Sequence, residues 1–164
     1  MWFFGYFRVI FTLINFRIMK RLVFALMLVA GFSIVNAQAY TGKGDQKLNF
    51  GLNAWGYGTG ITGTYDYGIN ELLSVGAGLN VYFDNYKDHN KDNNLFVFGR
   101  LNFHLNKALE LPENLDIYPG VDLGVVGKDF GIGAHLGARY FFNDKIGVFA
   151  EVGNNGSLGV SLNL

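Results

Sequence analysis

The chain has 164 residues with 23 Gly, 2 Pro and no Cys; 50% of it is hydrophobic and 16% charged. This length fits one domain, and the apolar content excludes intrinsic disorder. Glycine without a G-X-Y period excludes collagen, and the lack of cysteine excludes a disulfide scaffold, a thiolate zinc site and an acylated lipoprotein cysteine. The formal charge of zero hides an asymmetry. The first 37 residues hold Arg8, Arg17, Lys20 and Arg21 and no acid, which leaves 9 cations against 13 anions in the remainder. So mildly acidic a body argues against nucleic acid as a partner.

Residues 1–18 read as translation upstream of a true start at Met19. Met19-Lys20-Arg21 forms a compact positive region, and Leu22 to Val35 is an apolar run of 14 residues. Val35-Asn36-Ala37 then offers small residues at the cleavage positions, so 19–37 has the pattern of a secretory signal peptide cleaved before Gln38. Cleavage after Ala39, with Ala37-Gln38-Ala39 as the A-x-A site, is the near alternative. A transmembrane helix is the rival reading, but Lys20-Arg21 split the hydrophobic stretch, and neither half reaches the roughly 20 apolar residues a span needs. The exported part is then 38–164.

From Lys47 onward the chain breaks into eight short runs with period two, the signature of strands. Leu48, Phe50, Leu52 and Ala54 share one face, opposite Asn49, Gly51, Asn53 and Trp55. Ile61, Gly63, Tyr65 and Tyr67 oppose Thr62, Thr64, Asp66 and Gly68. Leu73 to Phe83 alternate with Ser74, Gly76, Gly78, Asn80 and Tyr82. Leu95 to Leu105 alternate with Phe96, Phe98, Arg100, Asn102 and His104. In the fifth run Ile117, Pro119, Val121, Leu123 and Val125 oppose Tyr118, Gly120, Asp122 and Gly124. Phe130 to Tyr140 alternate with Gly131, Gly133, His135, Gly137 and Arg139. Ile146, Val148, Ala150 and Val152 oppose Gly147, Phe149, Glu151 and Gly153, and Leu158 to Leu164 alternate with Ser157, Gly159, Ser161 and Asn163. Asn154-Asn155-Gly156 suits a tight hairpin in which Asn-Gly supplies φ > 0. Pro119 lacks the N–H that a strand with two neighbours uses, so the fifth strand is expected to start late or to bulge there.

Periodicity does not say which face points outward. A soluble lipocalin-like cup and a membrane barrel share it. The polar face decides: it is mostly Gly, Asn and Ser, and Lys43, Lys47, Lys87, Lys91, Lys107, Lys128 and Lys145 fall in turns or at strand ends. Small residues fit the interior of an eight-stranded barrel, which is only just wide enough for side chains, whereas the many Leu, Ile, Val, Phe and Ala would not fit inside. Apolar outside and small or polar inside is the arrangement of transmembrane barrels. Tyr65, Tyr67, Phe83, Phe103, Phe130 and Tyr140 near strand ends are candidates for interfacial girdles. The expected fold is all-β, a closed antiparallel up-and-down transmembrane β-barrel of eight strands.

The signal sequence, the eight Gly-rich alternating strands and the apolar alternating last strand resemble the small outer-membrane β-barrel proteins of Gram-negative bacteria, with an OmpA/OmpX/OmpW-like barrel architecture. The likeness covers Gln38 to Leu164 and is architectural. It implies residence in the cell outer membrane, the lipid bilayer as the principal partner, insertion by the barrel-assembly machinery, a monomer, and both termini in the periplasm. The chain departs from the family in ending Leu162-Asn163-Leu164, where such proteins commonly end in Phe or Trp. On this orientation the external loops are Gly56–Gly60, Asp84–Asn94, Gly127–Asp129 and Gly153–Gly156, and only Asp84–Asn94 is large enough to present a surface.

Five charges fall on the lumen face: Asp66, Arg100, Asp122, Arg139 and Glu151. Buried charges must pair or cost several kcal/mol, so an internal salt-bridge network that stiffens a closed barrel is expected, with Arg100–Asp122 as its leading pair. An ion-selective pore is the functional rival. Asn49, Asn53, Asn80, Asn102, His104 and His135 also face inward and are expected to serve lumen hydrogen bonding. A barrel enzyme would need a nucleophile beside a histidine at the outer rim, and Ser74, Ser157 and Ser161 show no such neighbour in the sequence, so no enzymatic activity is expected. In the external loop Asp84 leads to Asp88, Asn90 and Asp92, which imitate the start of a calcium loop. Asn93 replaces the required Gly and Gly99 the required Glu, so a solvated loop and no cofactor are expected. Gly131-Ile132-Gly133 lies in a strand with no following helix and is no nucleotide fingerprint. The expected role is structural or at the cell surface, with a narrow channel or an exported soluble barrel for an apolar ligand as alternatives.

Overall fold

The structure, a computed structural model, describes residues 37–83 and 94–164. The expected upstream extension, the expected signal segment up to residue 36, and the residues Asp84, Asp88, Asn90 and Asp92 of the loop expected to be external lie outside the described residues. Eight strands follow one another: β1 (Gln46–Trp55), β2 (Gly60–Gly68), β3 (Leu73–Tyr82), β4 (Leu95–Phe103), β5 (Leu115–Val126), β6 (Asp129–Phe141), β7 (Ile146–Gly153) and β8 (Gly156–Asn163). Each pairs antiparallel with the next, and β8 closes on β1 through pairs such as Asn49↔Ser161. The fold is a closed, all-antiparallel, up-and-down barrel. Closure leaves no edge strand with unpaired backbone groups.

Burial alternates along every strand. Among the described residues, 27 large hydrophobic side chains are exposed, while the buried set holds 17 polar or charged residues and nine hydrophobic ones. The polarity is therefore the reverse of a water-soluble core. Phe50, Leu52, Val97, Leu123, Ile132 and Leu158 point out, and Asn49, Asp66, Asn80, Arg100, Asn102 and Arg139 point in.

The interior closes because large and small residues face each other across neighbouring strands. Arg100 on β4 pairs with Gly76 on β3, and Tyr118 on β5 pairs with Gly137 on β6. Phe98 lies between Gly78 on β3 and Gly124 on β5. A Cβ at Gly76 would lie 3.1 Å from Arg100 Cγ, and one at Gly137 would lie 2.6 Å from the Tyr118 hydroxyl. Much of the glycine excess is the room that the bulky lumen residues occupy.

Three local expectations are corrected. Trp55 does not continue the inward face of β1. The register slips between Asn53↔Ser157 and Trp55↔Gly156, and this bulge turns the indole outward, 49% exposed, because one inserted residue inverts the parity of a strand. Gly156 does not supply a left-handed turn residue, since it is absent from the glycines with positive φ. It opens β8, and its missing side chain leaves room for the Trp55 ring lying against it. Pro119 neither delays β5 nor bulges it, because β5 starts at Leu115 and pairs with β6 without a slip, Pro119↔Leu136 included. The Ile117 carbonyl accepts from Leu105 N–H at 2.9 Å, so by alternation the Pro119 nitrogen also points toward β4. The regular β4–β5 pairing stops at Asn102↔Gly120 and the Leu105–Ile117 bond continues the same register beyond it, so the missing Pro119 N–H interrupts one rung toward β4 without delaying or bulging β5.

Candidate functional site

The lumen is stratified. Its middle, and the mouth where β1 starts, are polar and charged; the opposite mouth is aromatic.

In the polar layer Arg100 sits at the centre. Its Nη2 donates to Glu151 Oε1 across the lumen at 2.6 Å, and its Nε lies 3.5 Å from Asp66 and 3.8 Å from Asp122. Arg100 and Asp122 are direct register partners, yet the closer ion pair is Arg100–Glu151, because the long guanidinium reaches over the lumen to β7. Arg139 is ion-paired to Asp66, lies 3.7 Å from Asp116, and stacks its guanidinium 4.2 Å from the centre of the Tyr118 ring. Tyr118 in turn donates to Glu151 at 2.8 Å.

The arginines thus reach Asp116 and Asp122 only at 3.7 and 3.8 Å, and each of these carboxylates has a histidine at 2.9 Å instead: His104 Nδ1 for Asp116 and His135 Nδ1 for Asp122. Arg100 Nη2 approaches His135 Nε2 at 2.7 Å. The same Nε2 lies 3.0 Å from the Asn102 side-chain oxygen, so a donor and an acceptor both face this ring nitrogen.

The asparagines complete the set. Asn49 donates to Thr64 and Asp66 at 2.8 and 3.2 Å, and Asn102 donates to Asp66 and Ser74 at 3.2 and 3.3 Å. Asn53 donates to the Ile61 carbonyl, and Asn80 to the Tyr82 hydroxyl. Asp66, Arg100, Asp122, Arg139 and Glu151 are therefore brought together with Asn49, Asn102, His104 and His135. Asn53 and Asn80 lie apart, toward the other mouth.

Several members were not foreseen. Asp116 shares the inward parity of Tyr118 and Asp122 but precedes Pro119, where the sequence pattern is interrupted. Lys47 and Asp45 form a buried ion pair at the strand end, with the ammonium 5.4 Å over the Phe141 ring. Ser74, expected to have no histidine beside it, lies 2.9 Å from His104 Nε2. In this hairpin Ser74 on β3 pairs with Asn102 on β4, and His104 stands two residues further on the same face. The contact is a diagonal one across the hairpin, and it follows from this register.

The opposite mouth holds Tyr82, Phe96, Phe98 and Val126, with Tyr57 packed against them. Phe96 and Phe98 stack at 4.6 Å, and Tyr57 leans on Phe96 at 5.8 Å. Asn155 Oδ1 accepts from the Tyr57 amide and the Tyr82 hydroxyl, tying the β7–β8 link over this cluster.

Residues 30–156, well over half of the chain, match the family of unknown function DUF6646. The chain belongs to this family. The DUF6646 match contains every charged member of the lumen network and ends at the start of β8, so Ser157 and Ser161 fall beyond it. No curated protein shows a significant match. Among solved structures, one described as "De novo design of transmembrane beta-barrels" is similar to the DUF6646 chain, with a TM-score of 0.54 and 15% identity over 76% of this chain and 98% of that one. At this identity the likeness concerns the fold: a closed eight-stranded barrel.

Proposed function

We propose that the protein is an integral outer-membrane β-barrel, embedded as a monomer, whose lumen is a structural plug. The inverted polarity of the barrel carries this reading. Each large apolar side chain left in water forgoes about 1.5–3 kcal/mol relative to burial, so a continuous outward apolar face calls for an apolar medium. Strands of 8 to 13 residues match the ~9–11 residues of a tilted membrane strand. The solved barrel that this chain resembles is described as transmembrane, which supports the same medium. Export by the signal-like segment 19–37 and insertion by the barrel-assembly machinery belong to this reading.

A plug fits the interior better than a pore. Arg100, Arg139 and Asp66 are at most 4% exposed and bind one another across the lumen. The alternative of a soluble cup for an apolar ligand is less well supported, because among the described residues one half of the lumen is charged and the apolar rings of the other half pack on one another.

The test is fractionation of cells expressing the chain, with boiled and unboiled outer-membrane samples on one gel, followed by planar-bilayer recording. An outer-membrane band that shifts on boiling, without discrete conductance steps, supports the proposal. Stable conductance steps would overturn the plug in favour of a channel. A soluble periplasmic band without a shift would overturn the membrane assignment itself.

A further inference from the structure

Ser74, His104 and Asp116 stand in the order and geometry of a nucleophilic relay. The Asp116 carboxylate lies 2.9 Å from His104 Nδ1, and His104 Nε2 lies 2.9 Å from Ser74 Oγ. With its Nδ1 proton held by the carboxylate, the imidazole presents a lone pair on Nε2 to the serine hydroxyl. This is the arrangement by which a serine gives up its proton on attack. Asn102 Nδ2 donates to Ser74 Oγ at 3.3 Å, which holds the hydroxyl oxygen in place beside His104.

The relay occupies the layer of the lumen nearest the mouth where β1 starts, and a strap of residues 37–45 covers it. Tyr40 lies flat on the His104 ring, with centroids 3.5 Å apart and planes at 7°. Its hydroxyl reaches the Asn70 and Leu73 carbonyls at 2.7 and 2.8 Å, with its single proton shared between them. Burial, reinforced by the nearby carboxylates of Asp45 and Asp116, pushes the Tyr40 hydroxyl up from its ordinary range, so it keeps its proton above the pH at which a free tyrosine ionises. Ala39 N–H donates to the Glu113 carbonyl at 2.7 Å, and Ala39 packs on Phe141. The ring-sized volume that Tyr40 fills beside His104 is the space a small acyl group would need.

We propose that Ser74 is an activated nucleophile, masked by Tyr40, which accepts the acyl group of a carboxylic ester when the strap lifts. In this step Ser74 Oγ bonds to the ester carbonyl carbon and passes its proton to His104 Nε2. The C–O bond to the alcohol breaks, and the alkoxide leaves with that proton. Water then repeats the sequence on the acyl-serine, releasing the carboxylic acid and restoring the hydroxyl. Ser74 and His104 are the catalytic residues, and Asp116 positions the imidazole. The relay would add a hydrolytic site to the barrel proposed above and does not depend on its membrane setting.

A fluorophosphonate probe, which phosphonylates activated serines, tests this on the full chain folded in detergent, with the modified residue located by mass spectrometry. Slow labelling of Ser74 is expected in the wild type, with labelling at least tenfold faster in Tyr40→Ala. Tyr40→Phe removes only the hydroxyl's hydrogen bonding and keeps the ring, and it should fall between them, which covers the case in which Tyr40→Ala does not fold. Adding His104→Ala to either Tyr40 variant should abolish the adduct while the barrel still migrates as folded. Asp116→Asn should slow labelling and alter its pH profile, whereas a purely structural effect would lower only the folded fraction. No adduct on Ser74 in a folded Tyr40 variant, an adduct on a different serine, or labelling undiminished by His104→Ala would each overturn the proposal.

Discussion

At the mouth where β1 starts, the lumen is filled by Arg100, Arg139, Asp66, Asp116 and Glu151 with two histidines; at the opposite mouth it is filled by Tyr82, Phe96, Phe98 and Val126. Both fillings use the same backbone device, a large side chain set over a glycine on the next strand. Gly76 lies beside Arg100 and Gly137 beside Tyr118 in one half, and Gly78 and Gly124 flank Phe98 in the other. The two halves differ in what a defect leaves behind. In the charged half a missing partner leaves another buried charge unpaired; in the aromatic half a missing ring leaves only a void. The same fold thus carries one region that tolerates little change and one that tolerates more.

Arg139→Ala should therefore be the most damaging single change. It strips Asp66 of its closest cation and leaves Asp116 with His104 alone, and breaking a buried pair in this way costs about 3–5 kcal/mol. The measurement is urea unfolding of the detergent-folded barrel, followed by loss of the fast-migrating unboiled band. Phe98→Ala should come next, at about 3 kcal/mol, as cavity formation beneath the stacked Phe96. If Phe98→Ala proved the more costly of the two, water would be entering the charged half and screening it, and the contrast between the halves would fail.

Glycine itself is the third probe. In Gly137→Ala the new methyl would lie 2.6 Å from the Tyr118 hydroxyl and push that ring away from Arg139 and Glu151. Overpacking of this kind costs about 1–3 kcal/mol. Gly99→Ala serves as its control, because Gly99 faces outward and a Cβ there would approach only the Gly76 carbonyl at 3.8 Å and the Leu123 carbonyl at 4.0 Å. A clear loss for the lumen glycine and little for the outward one would show that the lumen glycines are sites of fit. Equal losses would shift the explanation to strand propensity.

The inward and outward faces were legible from residue alternation in all eight runs, because a period of two is dictated by the strand backbone alone. Where parity was broken the reading failed: Trp55 follows a bulge, and a bulge of one residue has no signature in an alternating string. The list of interior charges was legible for the same reason, but not the partnerships. Arg100 meets Glu151 from 51 residues away, a contact created by closure of the barrel and by the reach of the guanidinium. Asp116 was missed because Pro119 looked like a strand boundary, and the Ser74–His104 contact because diagonal neighbours become visible only once the register is fixed.

The smallest effect is expected at the rim, where distance alone would mislead. Lys107 and Glu71, on the β4–β5 and β2–β3 links, form an ion pair at 2.6 Å with side chains 63% and 70% exposed. Arg100 and Glu151 pair at the same 2.6 Å with side chains 1% and 11% exposed. Water already solvates the rim pair and screens it, so its net worth is within ~0.5 kcal/mol, while the interior pair exchanges a large desolvation cost for an attraction that nothing screens. Lys107→Ala should leave the urea midpoint unchanged within error. A drop comparable to that of Gly137→Ala would mean that the connecting links, and not the lumen contents, hold this mouth of the barrel together.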